Sequence, residues 1–491
     1  MFTFKDIVEA AKASPIFVMD DYNSTLAYKI SDRSDQHVDN SAFLAMRKKK
    51  QLIRSVIESE NTHDINLFRT LLSQGTKAFI VDAYFDHDSC FQEELSKFIE
   101  ENRNNLDFIV KVESSDDALY ALARHHLRKI RPMVIAVTGS VGKTSTVEMI
   151  AAILKSKGKT HKSSVYNTFY AISKSIMSMP EDTDFFVVET STRRTGIMRR
   201  NSWILEPDVA VITQIKYEHV KGMGSLDGIA KEKLSLTESM NASGLLVCPN
   251  IPEIKRNALI NFGGDMFFAN LESTCDEVVT EAGSSFTYKG DKFFLPSPGK
   301  HNIHNALLAI VVCRHLGCSA GAIREGLSVY KAVGNRWNAE AHDHGIVIIN
   351  DSPNNPSHAT ILSALQALDD IYPNHRKIVL LSDILELGNF EEELYRDIGK
   401  KINESSVDHV ILYGSTLDPL ANEIDTRNTT VRYFKKTINE PIKFRYNGEL
   451  TNYIGTILRR KTVLLVKASR IMGFGEVARH INRFVKEKYV A

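Results

Sequence analysis

The stretch Val134-Ile-Ala-Val-Thr-Gly-Ser-Val-Gly-Lys-Thr-Ser-Thr146 decides the fold class of this chain and the first activity to expect of it. Its uninterrupted apolar opening reads as a strand buried on both faces, as in a parallel sheet. Gly139 and Gly142 then let the backbone turn tightly into a helix from about residue 144, so that N–H groups of the turn point inward at the positive end of that helix. Such a turn cradles phosphate. Lys143 would neutralise the β- and γ-phosphates and the Thr144 hydroxyl would ligate Mg²⁺, and Gly139, Ser140, Gly142, Lys143, Thr144 and Ser145 form the candidate nucleotide-binding loop. The longer form of this loop needs a glycine at position 137, where Val137 stands, so the match is to the shorter GxxGKT. A loop of this kind serves kinases, ATPases and ligases alike.

Upstream, helical spacing across residues 116–129 puts Leu119, Leu122 and Ala123 on one face, and Pro132 ends the pattern just before the strand. Residues 1–112 mix short strand-like runs such as 77–82 with polar helical stretches such as 93–101, the pattern of a small α/β domain. Downstream, apolar runs at 185–188, 209–213 and 245–247 alternate with helical segments, which implies a largely parallel sheet covered on both faces. Gly334-Asn-Arg336 punctuates the chain, and strands expected at 346–349, 377–381, 409–413 and 463–467 form a further alternating set. The expected architecture is α/β in three domains: a small one at 1–112, a central P-loop ATPase-like parallel sheet at 113–333, and a Rossmann-like doubly wound domain at 334–491.

The length of 491 residues agrees with that number of domains, at about 150 residues each. With 61 Lys+Arg against 60 Asp+Glu the net charge is +1, which argues against a nucleic-acid binder, since displacing counterions needs a basic excess. The basic run at 47–50 reads as solvated surface. No apolar run approaches the roughly 20 residues that span a bilayer, and the opening Met1-Phe-Thr-Phe-Lys-Asp-Ile-Val-Glu9 carries acids where a signal peptide carries a basic stretch. Neither membrane insertion nor export is expected. Cys90, Cys248, Cys275, Cys313 and Cys318 are scattered and form no CxxC pair, the pattern of reduced thiols in a cytoplasmic protein.

Thr138-Gly-Ser-Val-Gly-Lys-Thr144 resembles the TGSxGKT loop of the Mur ligases, ATP-dependent enzymes that form amide bonds in peptidoglycan precursor assembly. The resemblance continues in family order. Glu189 ends an apolar strand where the family places a magnesium-binding glutamate. His219, followed by Gly222-Met-Gly-Ser225 and Ile229-Ala-Lys-Glu-Lys233, is similar to the family's H-x-x-G-F-G-S…A-x-x-K segment, and Gly299-Lys-His-Asn-Ile-His-Asn305 to its adenine-side GxHNxxNA motif. Gly334-Asn-Arg336, Asn350-Asp-Ser352 with Asn354-Asn-Pro-Ser357, Asp383-Ile-Leu-Glu-Leu-Gly388 and Val466-Lys-Ala-Ser-Arg470 carry it through the third domain. The last three resemble most closely the MurF branch, which joins D-Ala-D-Ala to UDP-N-acetylmuramoyl-tripeptide. Coverage runs from about residue 132 to 470.

The resemblance implies that an acceptor carboxylate attacks the γ-phosphate of ATP to give an acyl phosphate, which an amine then attacks. Charge gathers on phosphoryl oxygens, so cations must be held in fixed geometry. One Mg²⁺ would bind through Thr144 and Glu189, and a second would sit near His219 and Lys233. An ammonium has no lone pair for a metal. In the family the equivalent lysine carries a CO₂-derived carbamate, an anion, and Lys233 matches that position better than Lys231. Asn302 and Asn305 would serve the adenine side, while Arg336 and Asp351 would reach the γ-phosphate and ribose, arginine because its fork binds phosphate oxygens bidentately. Lys143, Glu189, His219, Lys233, Arg336 and Asp351 are thus the candidate catalytic residues. Closure of the third domain over ATP would keep water from the acyl phosphate.

The acceptor side departs from the pattern. In this family the amino-terminal domain holds the UDP part of the acceptor, yet 30–34 and 61–64 match it in fragments that a generic α/β module explains as well. Asn167-Thr168 stands for an Asn-Asn pair, Ala171 and Ser173 stand for Gly and Pro, and Ile197 follows Gly196 where an acid is expected. Arg193, Arg194, Arg199 and Arg200 cluster there, either as a solvated face or as a seat for an anionic acceptor. Asn167, Thr168, Arg193, Arg194, Asn354 and Lys467 are the candidate substrate residues. The expected protein is a cytoplasmic monomer acting on a small acidic acceptor and an amine, an amino acid or dipeptide, with the MurF reaction as default. A paralogue acting on another acidic acceptor stands beside it, as does an ATP-binding module without catalysis. A plain phosphate-loop kinase or motor ATPase predicts neither HNxxN nor a third-domain Arg/Asp pair.

Overall fold

Three six-stranded sheets and one three-stranded sheet organise the computed structural model, which describes residues 1–19, 26–31, 41–45, 65–163, 167–331, 337–351, 356–385, 387–436, 448–468 and 474–489. The chain separates into two units, Met1–Met133 with Tyr166–Asp184, and Val134–Val165 with Phe185–Ala491.

In the first unit, parallel strands Ala27–Ser31, Ser41–Leu44, Ala78–Asp82 and Phe108–Val112 are flanked by antiparallel Phe2–Thr3 and Ser14–Val18. One face packs an aromatic core in which the Phe68 and Phe79 rings stack at 4.8 Å, with Phe43 and Phe98 edge-on to them. The helix expected at 116–129 runs Ser115–Ile130. Ser114 caps it by accepting from the Asp117 N–H at 3.3 Å, acids sit in its first turn and bases in its last, and left-handed Arg131 ends it before Pro132. Its Tyr120 ring lies 4.0 Å from that of Phe169, and His126 Nε2 lies 3.2 Å from the Met179 carbonyl. Apolar burial on these partners carries the first unit past residue 112, where the boundary was expected, and brings in the helix Phe169–Met177. Residues 32–34, 46–50 and 61–64 lie outside the described residues.

The second unit opens with a sheet ordered Asp265–Ala269, Leu245–Pro249, Val209–Ile212, Met133–Thr138, Phe185–Glu189, Thr160–Lys162, parallel wherever its pairing is described. Its centre, Met133–Thr138, is buried throughout beyond Met133, as an apolar run between parallel neighbours should be. The helix Lys300–His315 is buried from Asn302 to Cys313 and packs with Lys143–Leu154 in one apolar cluster. The antiparallel meander Thr274–Thr280, Gly283–Tyr288, Asp291–Leu295 has no counterpart in the expected strands. It buries only one side, through Phe286, Tyr288, Phe293 and Leu295, and leaves Val278 and Phe294 exposed, so its apolar signal is dilute.

The last sheet is ordered Asn338–His342, Ile346–Asn350, Thr462–Lys467, Arg376–Ser382, His409–Gly414, Thr430–Lys435, parallel except for its first pair. Tyr217 and Val279 pack onto its core, and the Tyr217 ring lies 5.0 Å from that of Phe390. The expected boundary at 333 falls among residues outside those described. No helix among the described residues is long and apolar enough to cross a membrane.

Candidate active site

The phosphate loop has the backbone its glycines predict. Gly139 and Gly142 take φ of 141° and 86°, and a Cβ on Gly139 would lie 2.0 Å from Thr213 Oγ1. One on Gly142 would lie 2.1 Å from Asn305 Oδ1, so the helix Lys300–His315 packs directly under this loop. The Ser140 N–H donates to the Gln214 carbonyl at 2.7 Å and its hydroxyl to the Lys216 carbonyl at 3.0 Å, while the Thr213 hydroxyl donates to the Val141 carbonyl. Lys143 Nζ donates to the carbonyls of Gly139 at 2.8 Å and Ser140 at 3.3 Å. Ser145 is half-buried in the first turn of the helix. Asn302 spends its amide on Ser297 Oγ at 2.9 Å and the Pro298 carbonyl at 2.8 Å, which holds the turn that enters the helix Lys300–His315.

Thr144 and Glu189 lie together: the buried hydroxyl donates to Glu189 Oε2 at 2.6 Å. Two hard oxygens beside a phosphate cradle fit Mg²⁺, which commonly takes one or two protein ligands and fills the rest of its shell with substrate oxygens and water. Lys233 reaches the same loop from behind. It is fully buried, donates to the Gly139 carbonyl at 3.1 Å, and pairs with Glu218 Oε1 at 2.7 Å. Burial pulls its ammonium below the ordinary lysine range against the pull of Glu218. For Glu218 burial acts upward, but Lys233, Lys143 and His219 together hold its carboxyl below the usual range. His219 follows in the left-handed region at φ 48°, a backbone strain of about 1–3 kcal/mol that packing must sustain. Among the described residues no three His, Cys, Asp or Glu side chains form a metal cluster, so His219 and unmodified Lys233 do not by themselves make the second site.

From the last sheet, Asp351 Oδ2 pairs with Lys467 Nζ at 2.5 Å, both buried, and its Oδ1 accepts from the Trp337 N–H at 3.3 Å. Lys467, expected at the substrate, is thus the partner of Asp351. Both act on His301, beside Asn302: burial pushes its imidazole down to about 4, Asp351 opposing and Lys467 assisting. The Asp351 carboxylate therefore lies within electrostatic reach of the helix Lys300–His315. Arg336 and Asn354 lie outside the described residues.

The arginine cluster divides. Arg199 is engaged with Glu238 at 2.6 Å, whereas Arg193 and Arg194 are exposed and make no ion pair among the described residues. Their loop rests on the one that starts at His219, since a Cβ on Gly222 would lie 2.1 Å from the Arg193 carbonyl oxygen. Asn167 and Thr168 belong to the other unit, where Thr168 caps the helix Phe169–Met177.

Glu232 braces the turn at Gly196. Buried next to Lys233, it accepts from the N–H groups of Gly196 at 2.7 Å and Met198 at 2.8 Å, and from the Thr192 hydroxyl at 3.2 Å. These are unpaired donors at the positive end of the helix Ile197–Leu205. Glu232→Gln, which turns an NH₂ toward N–H donors, is expected to cost about 1–3 kcal/mol in urea unfolding. Glu218 and Glu232 were legible only as charges flanking His219 and Lys233. Asp383, in the segment that resembles the MurF branch, accepts from the Ser415 and Thr416 N–H groups at 2.9 and 3.1 Å and closes the end of the strand His409–Gly414.

A family model described as the Mur ligase middle domain matches residues 137–313. The UDP-N-acetylmuramoyl-tripeptide–D-alanyl-D-alanine ligase of Bacillus subtilis is 30% identical over 380 residues, covering 76% of this chain and 81% of that one. The enzyme of the same name from Haemophilus influenzae is 24% identical over 465 residues, 91% and 92% of the two chains. Among solved structures, MurF from Acinetobacter baumannii has a TM-score of 0.78 at 21% identity, covering 98% of this chain and 99% of its own. MurF from Thermotoga maritima in complex with ADP has a TM-score of 0.74 at 22% identity, covering 95% and 100%.

Proposed function

Since the chain belongs to the Mur ligase family, we propose that it is an ATP- and Mg²⁺-dependent ligase that joins D-alanyl-D-alanine to UDP-N-acetylmuramoyl-tripeptide through an acyl phosphate. The observation that carries this reading is the Thr144–Glu189 pair at the mouth of a loop whose back is held by buried Lys233. Bound there, Mg²⁺ would neutralise phosphoryl oxygens.

Lys143 exchanges the loop carbonyls for β- and γ-phosphate oxygens. Lys143 and Lys233 concentrate positive charge around the loop, and Glu218 sets where the Lys233 charge sits. Asp351, braced by Lys467, accepts from the ribose hydroxyls; Arg336 serves the γ-phosphate. An acceptor carboxylate oxygen bonds to the γ-phosphorus as ADP leaves. The amine nitrogen then bonds to the acyl carbon, losing a proton as phosphate departs. Arg193 and Arg194, exposed beside the segment that starts at His219, attract the anionic acceptor. A carbamate on Lys233 would set a second anion against Glu218, and so would call for the second Mg²⁺ beside His219. The reading takes the protein as a cytoplasmic monomer.

Incubation with ATP, Mg²⁺, UDP-N-acetylmuramoyl-tripeptide and D-Ala-D-Ala is expected to release phosphate only when acceptor and amine are both present. Release at background with both would overturn the reading. Arg193 and Arg194, exposed and without an ion pair among the described residues, favour one second reading, a ligase for another acidic acceptor, which the same assay detects as acid- and amine-dependent ADP release from a substrate panel.

A further inference from the structure

The helix Lys300–His315 ends in a left-handed cap that carries cysteine at both of its side-chain contact positions. The Cys318 N–H donates to the Cys313 carbonyl at 2.8 Å and the Gly317 N–H to the Arg314 carbonyl at 2.9 Å, with Gly317 at φ 77°. This pair of bonds is the Schellman motif, in which the residue three before the cap touches the second residue after it. That contact is usually apolar. Here both positions carry a cysteine, brought together by the backbone bonds of the cap. Cys313 is buried and Cys318 half-buried. The Lys157 ammonium lies over the same turn, 3.4 Å from where a Cβ on Gly317 would stand.

The two sulfurs differ in character. The neighbouring Cys313 thiol outweighs burial and, with Lys157, brings Cys318 down to about 7, toward the reactive thiolate form. Burial, with Cys318 beside it, pushes Cys313 well above the ordinary thiol range. The other cysteines lack this arrangement. Burial pushes Cys248 to about 12, and desolvation with the adjacent Asp276 pushes Cys275 up.

We propose that Cys318 is a peroxide-reactive modification site and that Cys313 resolves it, closing a disulfide across the helix cap. The Cys318 thiolate attacks hydrogen peroxide; an S–O bond forms, the O–O bond breaks, and hydroxide leaves, so that Cys318 becomes a sulfenic acid. The Cys313 sulfur then displaces the hydroxyl from Cys318, and the Cys313 proton leaves with it as water. Two electrons pass from the sulfurs to the peroxide. A disulfide needs Cα atoms about 4.4–6.8 Å apart, and the backbone bond that closes the cap is what draws these two residues together. The inference is independent of which amide the enzyme forms.

Arg314 separates the two cysteines, so the test can be read by trypsin digestion of the full-length protein after near-stoichiometric peroxide and thiol blocking. Peptides 301–314 and 315–324 are expected to appear as one linked species, lighter by two hydrogens than their sum, before any other cysteine is oxidised. In Cys313→Ala, dimedone should trap a sulfenic acid on Cys318, and alkylation of Cys318 at neutral pH should slow about tenfold as its thiolate fraction falls toward that of an ordinary thiol. Unlinked peptides with Cys90 or Cys275 oxidised first would overturn the proposal, and that wild-type result decides it even if the variant does not fold.

Discussion

Lys233→Met is expected to destabilise the second unit by about 3–5 kcal/mol and to abolish ligation, because it leaves the Glu218 carboxylate nearly buried without its counter-charge. The stability loss belongs to the orphaned charge, and removing both partners should undo it. Lys233→Met/Glu218→Leu is expected to recover most of the urea midpoint, since apolar replacement of a whole buried ion pair is close to neutral. Activity should stay lost in the double variant, because Lys233 also holds the Gly139 carbonyl at the back of the phosphate loop. Lys233→Ala adds a chemical test of the carbamate. If an anion on this residue is the working form, a short carboxylic acid should restore part of the turnover in a folded Lys233→Ala protein. Wild-type turnover in either single variant would remove Lys233 from the mechanism.

Glu189→Gln should lower kcat/KM by about 10²–10³-fold, the cost of removing one fixed electrostatic partner from a phosphoryl-transfer site. The substitution keeps shape and an acceptor oxygen for the Thr144 hydroxyl, so the 2.6 Å hydrogen bond and the unfolding midpoint should survive. What it removes is charge. Turnover should then demand much more Mg²⁺ for half-saturation, and an unchanged Mg²⁺ dependence would show that Glu189 plays a structural part only.

These effects trace which residues could be read in advance. The strand and loop around Gly139 were legible because their signals are local: an apolar run, two glycines that must turn, and a Lys-Thr pair placed by that turn. Thr144 and Glu189 lie 45 residues apart in the chain, yet each ends or follows a buried strand of one parallel sheet, so their meeting follows from topology. The meander at 274–295 was not legible, since a sheet buried on one side shows too few apolar residues to stand out. Nor was Glu232 legible. It reaches the Gly196 N–H from a helix 36 residues further on, so no local pattern marks it.

By itself the sequence determined the α/β class with its parallel sheets, the phosphate loop and the order of the motifs, because each depends on residues adjacent in the chain or on short periodic spacing. Only the tertiary structure decided which buried charges face one another: Lys233 with Glu218, Lys467 with Asp351, and Glu232 with the helix at Gly196. It also decided that two of five scattered cysteines meet across one helix cap. The reason is physical. A charge or thiol acquires its chemistry from what desolvates it and what stands within a few ångströms, and those neighbours come from distant segments that only the folded chain brings together.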